Sequence, residues 1–150
     1  MSIRTATLAD VPRIVELGTQ MHAESARWSR IPFDPARASE SMIRLIHGTG
    51  VVFLYERDGM VVGGIAGVLD KHWACDATIA QEVALFIDSE YRGGMAAGRL
   101  ICALVSWGQR KGAAWLHAGT STGLEPEMVA ALYERLGFVR CSIGLEFHYE

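Results

Sequence analysis

Apolar positions along the chain change period several times, and each change marks an element. Ser2-Ile3-Arg4-Thr5-Ala6 alternates, which predicts a short first strand. Val11, Ile14, Gly18, Met21 and Ser25 then recur at helical spacing with Leu17 beside them, so a helix is expected over about residues 9–26. Thr7 and Asp10 stand at capping-box spacing ahead of it, and Pro12 suits its first turn. Asp34-Pro35 opens a second helix, with Met42, Ile43, Leu45 and Ile46 on its apolar side and Gly48-Thr49-Gly50 at its end. Val51 to Tyr55 has the β-branched and aromatic content of a strand, Asp58-Gly59 is a hairpin turn, and Met60 to Leu69 returns as a second strand. Gly63, Gly64 and Gly67 interrupt that return and mark a bulge or a closely approaching ligand.

A third strand is expected from Ile79 to Ile87. Gln81 and Glu82 break its apolar character, whereas Val83 to Ile87 is apolar throughout, as in a strand buried on both faces. A turn with Arg92, Gly93 and Gly94 follows. The helix after it runs to about Lys111, with Ala97, Leu100, Ile101, Leu104, Val105 and Gly108 facing inward. Backbone N–H groups at a helix start have no partner within the helix and sit at the positive end of its dipole. Glycines let an anion approach them, so this join reads as a cradle for pyrophosphate. Ala113 to Gly119 is read as a strand and Pro126 to Leu136 as a helix closed by Gly137. Phe138 to Cys141 and Leu145 to Tyr149 are read as two last strands. Hairpins mixed with crossovers predict an α/β (α+β) mixed sheet with helices on both faces, in a single domain over 1–150.

Composition narrows the function. Half the residues are hydrophobic and 21% are charged, the profile of a globular chain. A net charge of −3 argues against a general nucleic-acid binder, which needs a basic surface. Cys75, Cys102 and Cys141 lack CxxC spacing, so neither a disulfide framework nor a metal site is expected, and reduced thiols fit a cytoplasmic protein. Cys102 reads as a small buried hydrophobe, and Cys75 lacks the partners of a nucleophile. Met1 to Asp10 has no apolar core of a signal peptide, and no run is long enough to span a membrane.

Two segments carry a family resemblance. Ile87-Asp88-Ser89-Glu90-Tyr91-Arg92-Gly93-Gly94-Met95-Ala96-Ala97 resembles the acetyl-CoA motif of the GNAT N-acetyltransferases. Leu132-Tyr133-Glu134-Arg135-Leu136-Gly137-Phe138 resembles their second cofactor-side motif. The resemblance implies a central mixed sheet of about seven strands flanked by four helices. It also implies direct transfer of an acetyl group from acetyl-CoA to a primary amine in a ternary complex. Leu85, Phe86 and Ile87 would pair with the pantetheine arm, and the amides of Arg92, Gly93, Gly94, Met95, Ala96 and Ala97 would hold the pyrophosphate. A bulge or splay after the central strand would expose an N–H to the thioester oxygen. Met95 stands where the family's central glycine is expected, and Pro126 replaces an asparagine common near the start of the following helix.

The family often places at the position of Tyr133 a general acid for the leaving thiolate, and a phenol, protonated at neutral pH, suits that role. Glu82 lies where some members keep a catalytic glutamate, and partial burial would raise its pKa into a useful range. His117, His22, Glu24 and water alone are the alternative bases. The acceptor, a small-molecule or peptide amine, is expected between residues 27–34 and 70–78. There Trp28, Phe33 and Trp73 could form an aromatic mouth, and Arg27 and Arg30 would favour an anionic acceptor. Dimers are common in the family, and Leu145 to Tyr149 could pair or swap across an interface. A protein that keeps the fold and binds CoA or a partner without catalysis is the other reading.

Overall fold

The computed structural model describes residues 1–149. It holds five strands and four α-helices: β1 (Ser2–Thr5), α1 (Val11–Glu24), α2 (Pro35–His47), β2 (Gly50–Arg57), β3 (Met60–Lys71), β4 (Thr78–Ile87), α3 (Ala96–Arg110), β5 (Leu116–His117) and α4 (Pro126–Arg135). The strands form one sheet in the order β1-β2-β3-β4-β5. The β4–β5 pair is parallel, and the other pairs are antiparallel. The mixed α/β fold is thus the one expected.

Local signals explain most of these elements. The Thr7–Asp10 capping box is formed, with Thr7 N–H donating to Asp10 Oδ2 at 2.8 Å. Arg4 forks onto both oxygens of Asp10 at 2.8 Å, tying β1 to the start of α1. The Asp34 side chain accepts from the N–H groups of Ala36 and Arg37, and Pro35 begins α2. Asp58 and Gly59 take φ of 52° and 77°, the left-handed pair a two-residue hairpin requires.

Two cores cover the two faces of the sheet. Ile14 and Leu17 of α1 pack with Val52, Leu54, Ala66 and Phe86 on one side. Leu100, Ile101, Leu104 and Trp107 of α3 pack with Phe53, Tyr55 and Ile65 on the other. In α3, Ala96 and Trp107 are buried while Val105 is 37% exposed, a small rotation of the expected inward face. Cys102 is exposed, because it lies on the side of α3 away from that core. The glycines of β3 are accounted for by close packing. A Cβ on Gly64 would stand 2.6 Å from the Phe86 ring, and one on Gly67 would collide with Leu104.

The sheet has five strands rather than about seven. Residues 138–149 carry no strand, and Val139, Ile143, Leu145, Phe147 and Tyr149 lie open to solvent. The strand expected over Ala113 to Gly119 is reduced to Leu116–His117, because β5 turns away from β4 after two paired positions. Among the described residues no helix is long and apolar enough to cross a membrane.

Candidate active site

Two irregularities in β4 create the site. Ala84 pairs with Ala66 and Glu82 with Gly67, so Val83 is an extra residue bulged out of the ladder. β5 pairs with β4 only at Ala80–Leu116 and Gln81–His117. From Glu82 onward the two strands part, and the edge of β4 on that side has no neighbour in the sheet. Val83 is consequently 44% exposed, not buried on both faces as its apolar surroundings predicted. The opening is a cleft of about 580 Å³ between residues 82–87 of β4 and residues 117–122. α4 forms its floor through Met128, Val129, Leu132 and Tyr133.

The turn after β4 closes one end. Arg13 of α1 donates to Val61 O at 3.0 Å and to Asp88 Oδ2 at 2.9 Å, fixing where β4 ends. The Asp88 side chain accepts from Glu90 N–H at the start of a single 3₁₀ turn, Ser89–Tyr91. Gly93 has φ of 81°, a conformation that favours glycine, and delivers the chain into α3. Arg92, Gly93, Gly94 and Ala97 line the cleft. Met95 does not line it. It is the N-cap of α3 with φ of −83°, and its side chain is 58% exposed. The Met95 side chain, where the family has a glycine, therefore adds no bulk to the cleft. Arg92 meets Glu24 Oε2 at 2.6 Å and donates to Ile87 O at 3.1 Å.

Glu82 and Tyr133, far apart in sequence, meet inside the cleft, where the Tyr133 hydroxyl donates to Glu82 Oε2. Tyr133 is buried and stacks edge-on against Phe138, with ring centroids 5.1 Å apart. Burial pushes the Glu82 carboxyl up to about 7, partly opposed by the Tyr133 hydrogen bond. Burial, with the negative charge of Glu82 beside it, drives the Tyr133 phenol well above its usual value, so it is protonated throughout the physiological range. His117 lines the same cleft but is exposed on its wall.

The other expected residues divide. Trp28 lines the cleft, and its indole N–H donates to Ser121 O at 2.8 Å. Arg27 and buried Ser25 also donate to this segment, at Ser121 O and Thr122 O, both at 2.6 Å, so the end of α1 holds the far wall in place. Phe33 packs beside His22 instead of opening on the cleft, and Trp73 is 93% exposed. No residue of 70–78 lines the cleft. Arg27 is paired with Glu146 at 2.6 Å, and Arg30 lies 3.3 Å from His148; neither lines the cleft. A bulge or splay of the central strand is expected from the resemblance, and both are present, the bulge at Val83; the 119–122 wall was not foreseen. The only local trace of the bulge is Gly67, directly across the ladder.

A sheet that opens beside a glycine-rich helix start, with a carboxyl and a phenol in the opening, is the framework of an acyl-CoA transferase fold. The family model described as "Acetyltransferase (GNAT) domain" matches residues 48–140, a span that includes the bulge, the cradle and Tyr133. The chain belongs to the GNAT acetyltransferase family. Among solved structures, a ribosomal-protein-alanine N-acetyltransferase from Brucella melitensis is similar, with a TM-score of 0.81 and 22% identity over 95% of this chain and 86% of that one. An acetyltransferase from Trypanosoma brucei has a TM-score of 0.75 and 17% identity over 99% of both chains. An aminoglycoside N-acetyltransferase in complex with CoA has a TM-score of 0.77 and 18% identity over 99% of this chain and 93% of that one. At these identities the structures establish a shared fold. No curated protein sequence matches the chain.

Proposed function

We propose that the protein is an acetyl-CoA-dependent N-acetyltransferase that moves an acetyl group onto a primary amine by direct attack in a ternary complex. The observation that carries this reading is the contact between Glu82 and Tyr133 in the opening between β4 and β5. The unpaired edge of β4 at Leu85, Phe86 and Ile87 suits the pantetheine arm, which can hydrogen-bond like a strand. The amides from Arg92 to Ala97, in the turn leading into α3 and at its start, suit the pyrophosphate.

Acyl transfer to an amine must move one proton from nitrogen to sulfur. A carboxyl that titrates at about 7 can take the proton from the attacking amine at neutral pH. A phenol held neutral can give its proton to the departing thiolate. Because Tyr133 already donates to Glu82, the proton gained by Glu82 can pass back to the phenolate through that hydrogen bond. The N–C bond forms, the C–S bond breaks, and both side chains return to their starting states.

The test is release of free CoA thiol from acetyl-CoA across a panel of amines. Aminoglycosides and peptides beginning with alanine belong in it, as the acceptor classes named for two structural relatives. Tyr133→Phe is expected to lower kcat by about 10²-fold or more with CoA affinity within about twofold. Unchanged turnover would remove Tyr133 as the acid. Tight CoA binding with no turnover on any amine would favour a binding protein that has kept the fold.

A further inference from the structure

A second cavity, of about 520 Å³, lies outside the catalytic cleft, between residues 27–31 and residues 146–149. Trp28 lines both spaces, so the two adjoin at its ring. The indole N–H of Trp28 donates to Ser121 O at 2.8 Å, which fixes the ring between them. Ile31 and Tyr149 add apolar wall to the second cavity. The rest of its lining is charged or titratable: Arg27, Arg30, Glu146 and His148.

Two guanidinium groups share one carboxylate there. Arg27 takes Glu146 Oε2, at 2.6 Å through Nη2 and 2.7 Å through Nε, and its remaining arm donates to Ser121 O at 2.6 Å. Among the described residues no carboxylate meets Arg30. Its one hydrogen-bonding contact there is His148 Nε2, 3.3 Å from Nη1. The same ring nitrogen lies 2.9 Å from Glu146 Oε1. A ring nitrogen either accepts or donates. Bare, it accepts from Arg30 and turns its lone pair on the Glu146 carboxylate. Protonated, it donates to Glu146 and leaves an Arg30 N–H facing another N–H. In both states one of the three groups lacks its partner. An anion on Arg30 removes the conflict, because Arg30 then donates to the anion while His148 donates to Glu146.

We propose that this cavity receives a carboxylate carried by the acceptor, and that Arg30 holds it. The acceptor is then an amino acid or short peptide, with its amine in the cleft at Glu82 and its carboxylate beyond Trp28. A planar guanidinium matches a carboxylate oxygen for oxygen, which a lysine would not. An apolar side chain on the acceptor would lie against Trp28, Ile31 and Tyr149. Polycationic amines are disfavoured, since Arg30 would meet a like charge. The amine end rests on the acetyltransferase reading proposed above; the carboxylate end rests on the second cavity alone.

The test titrates the full chain, with and without CoA, with N-acetyl-alanyl-phenylalanine and with its C-terminal amide, followed by NMR at the Trp28 indole and the His148 ring. Neither probe has a free amine, so turnover plays no part, and the amide differs only in lacking the negative charge. The acid is expected to bind about tenfold or more tighter than the amide, the worth of a hydrogen bond to a charged group. Arg30→Gln should bring the acid down to the affinity of the amide while CoA affinity stays unchanged. In the thiol-release assay, alanyl-phenylalanine should have a KM about tenfold below that of its amide, with similar kcat, and Arg30→Gln should erase the difference. Equal affinity for the two probes, or no binding of either, would overturn the proposal, as would a preference for the acid that survives Arg30→Gln. Turnover of neutral or polycationic amines alongside equal probe affinities would leave the transferase standing and remove the carboxylate site. Acid-selective binding lost in Arg30→Gln, with no amine turned over, would uphold the site and fail the transferase reading instead.

Discussion

Replacing Glu82 by glutamine should stabilise the protein while ending its chemistry. The folded state raises the Glu82 carboxyl from 4.5 to about 7, chiefly because burial disfavours the charged form. The folded protein therefore holds this proton more tightly than the unfolded chain does. Between pH 4.5 and 7 the unfolded state has released it and the folded state has not, so stability falls as pH rises across that window. At about 1.4 kcal/mol per pH unit, the cost above pH 7 is about 3 kcal/mol. Glutamine has the same shape, does not ionise, and keeps an oxygen to accept from Tyr133. The assay is urea denaturation of both proteins from pH 4.5 to 8.5. The two should be equally stable at the acid end and diverge to about 3 kcal/mol by pH 8, equivalent to about 10 °C in Tm. Turnover of Glu82→Gln should be negligible, since the amide cannot take the amine's proton. Parallel stability curves would show that Glu82 titrates normally, and the argument for it as a base would fail with them.

Three further outcomes are expected. Gly94→Asp should weaken CoA binding at least tenfold by calorimetry, because its carboxylate would sit among the helix-start amides of α3; unchanged affinity would move the cofactor elsewhere. Glu24→Gln should tighten CoA binding several-fold, more at low salt, because it frees Arg92 from a carboxylate 2.6 Å away; weaker binding would mean that Arg92 does not meet the phosphates. Asp10→Asn should cost about 1–2 kcal/mol at neutral pH, since Asp10 both completes the capping box and receives Arg4. Arg4 holds the Asp10 carboxyl far below its usual range, so that stability is present above the ordinary aspartate pKa and is lost only in strong acid.

Local signals made much of the fold legible. Thr7 with Asp10, Asp34-Pro35 and Asp58-Gly59 each act within a few residues, and each operates as read. Glu82 and Tyr133 were legible only through a motif, and nothing in the spacing of the two residues foretells that they touch. The Val83 bulge depends on register across β3, and the splay of β5 depends on what lies beyond it, so neither leaves a pattern in its own segment. Residues 138–149 show the converse. Strands are expected over Phe138 to Cys141 and Leu145 to Tyr149 and neither is formed, because alternation says nothing about whether a hydrogen-bonding partner is there.

The placement of Glu82 joins these observations. A carboxylate on an ordinary ladder position would point into a core or into open solvent, and either would spoil it as a base. Here the bulge at the next residue and the departure of β5 leave a half-enclosed space, dry enough to lift the carboxyl to about 7 and open enough to admit an amine. The same departure leaves the edge of β4 from Glu82 onward without a neighbour in the sheet, the edge on which the proposed pantetheine arm would lie. One break in the sheet thus produces the cleft. Closing the break with a continuous β4–β5 ladder would stabilise the sheet and remove the site.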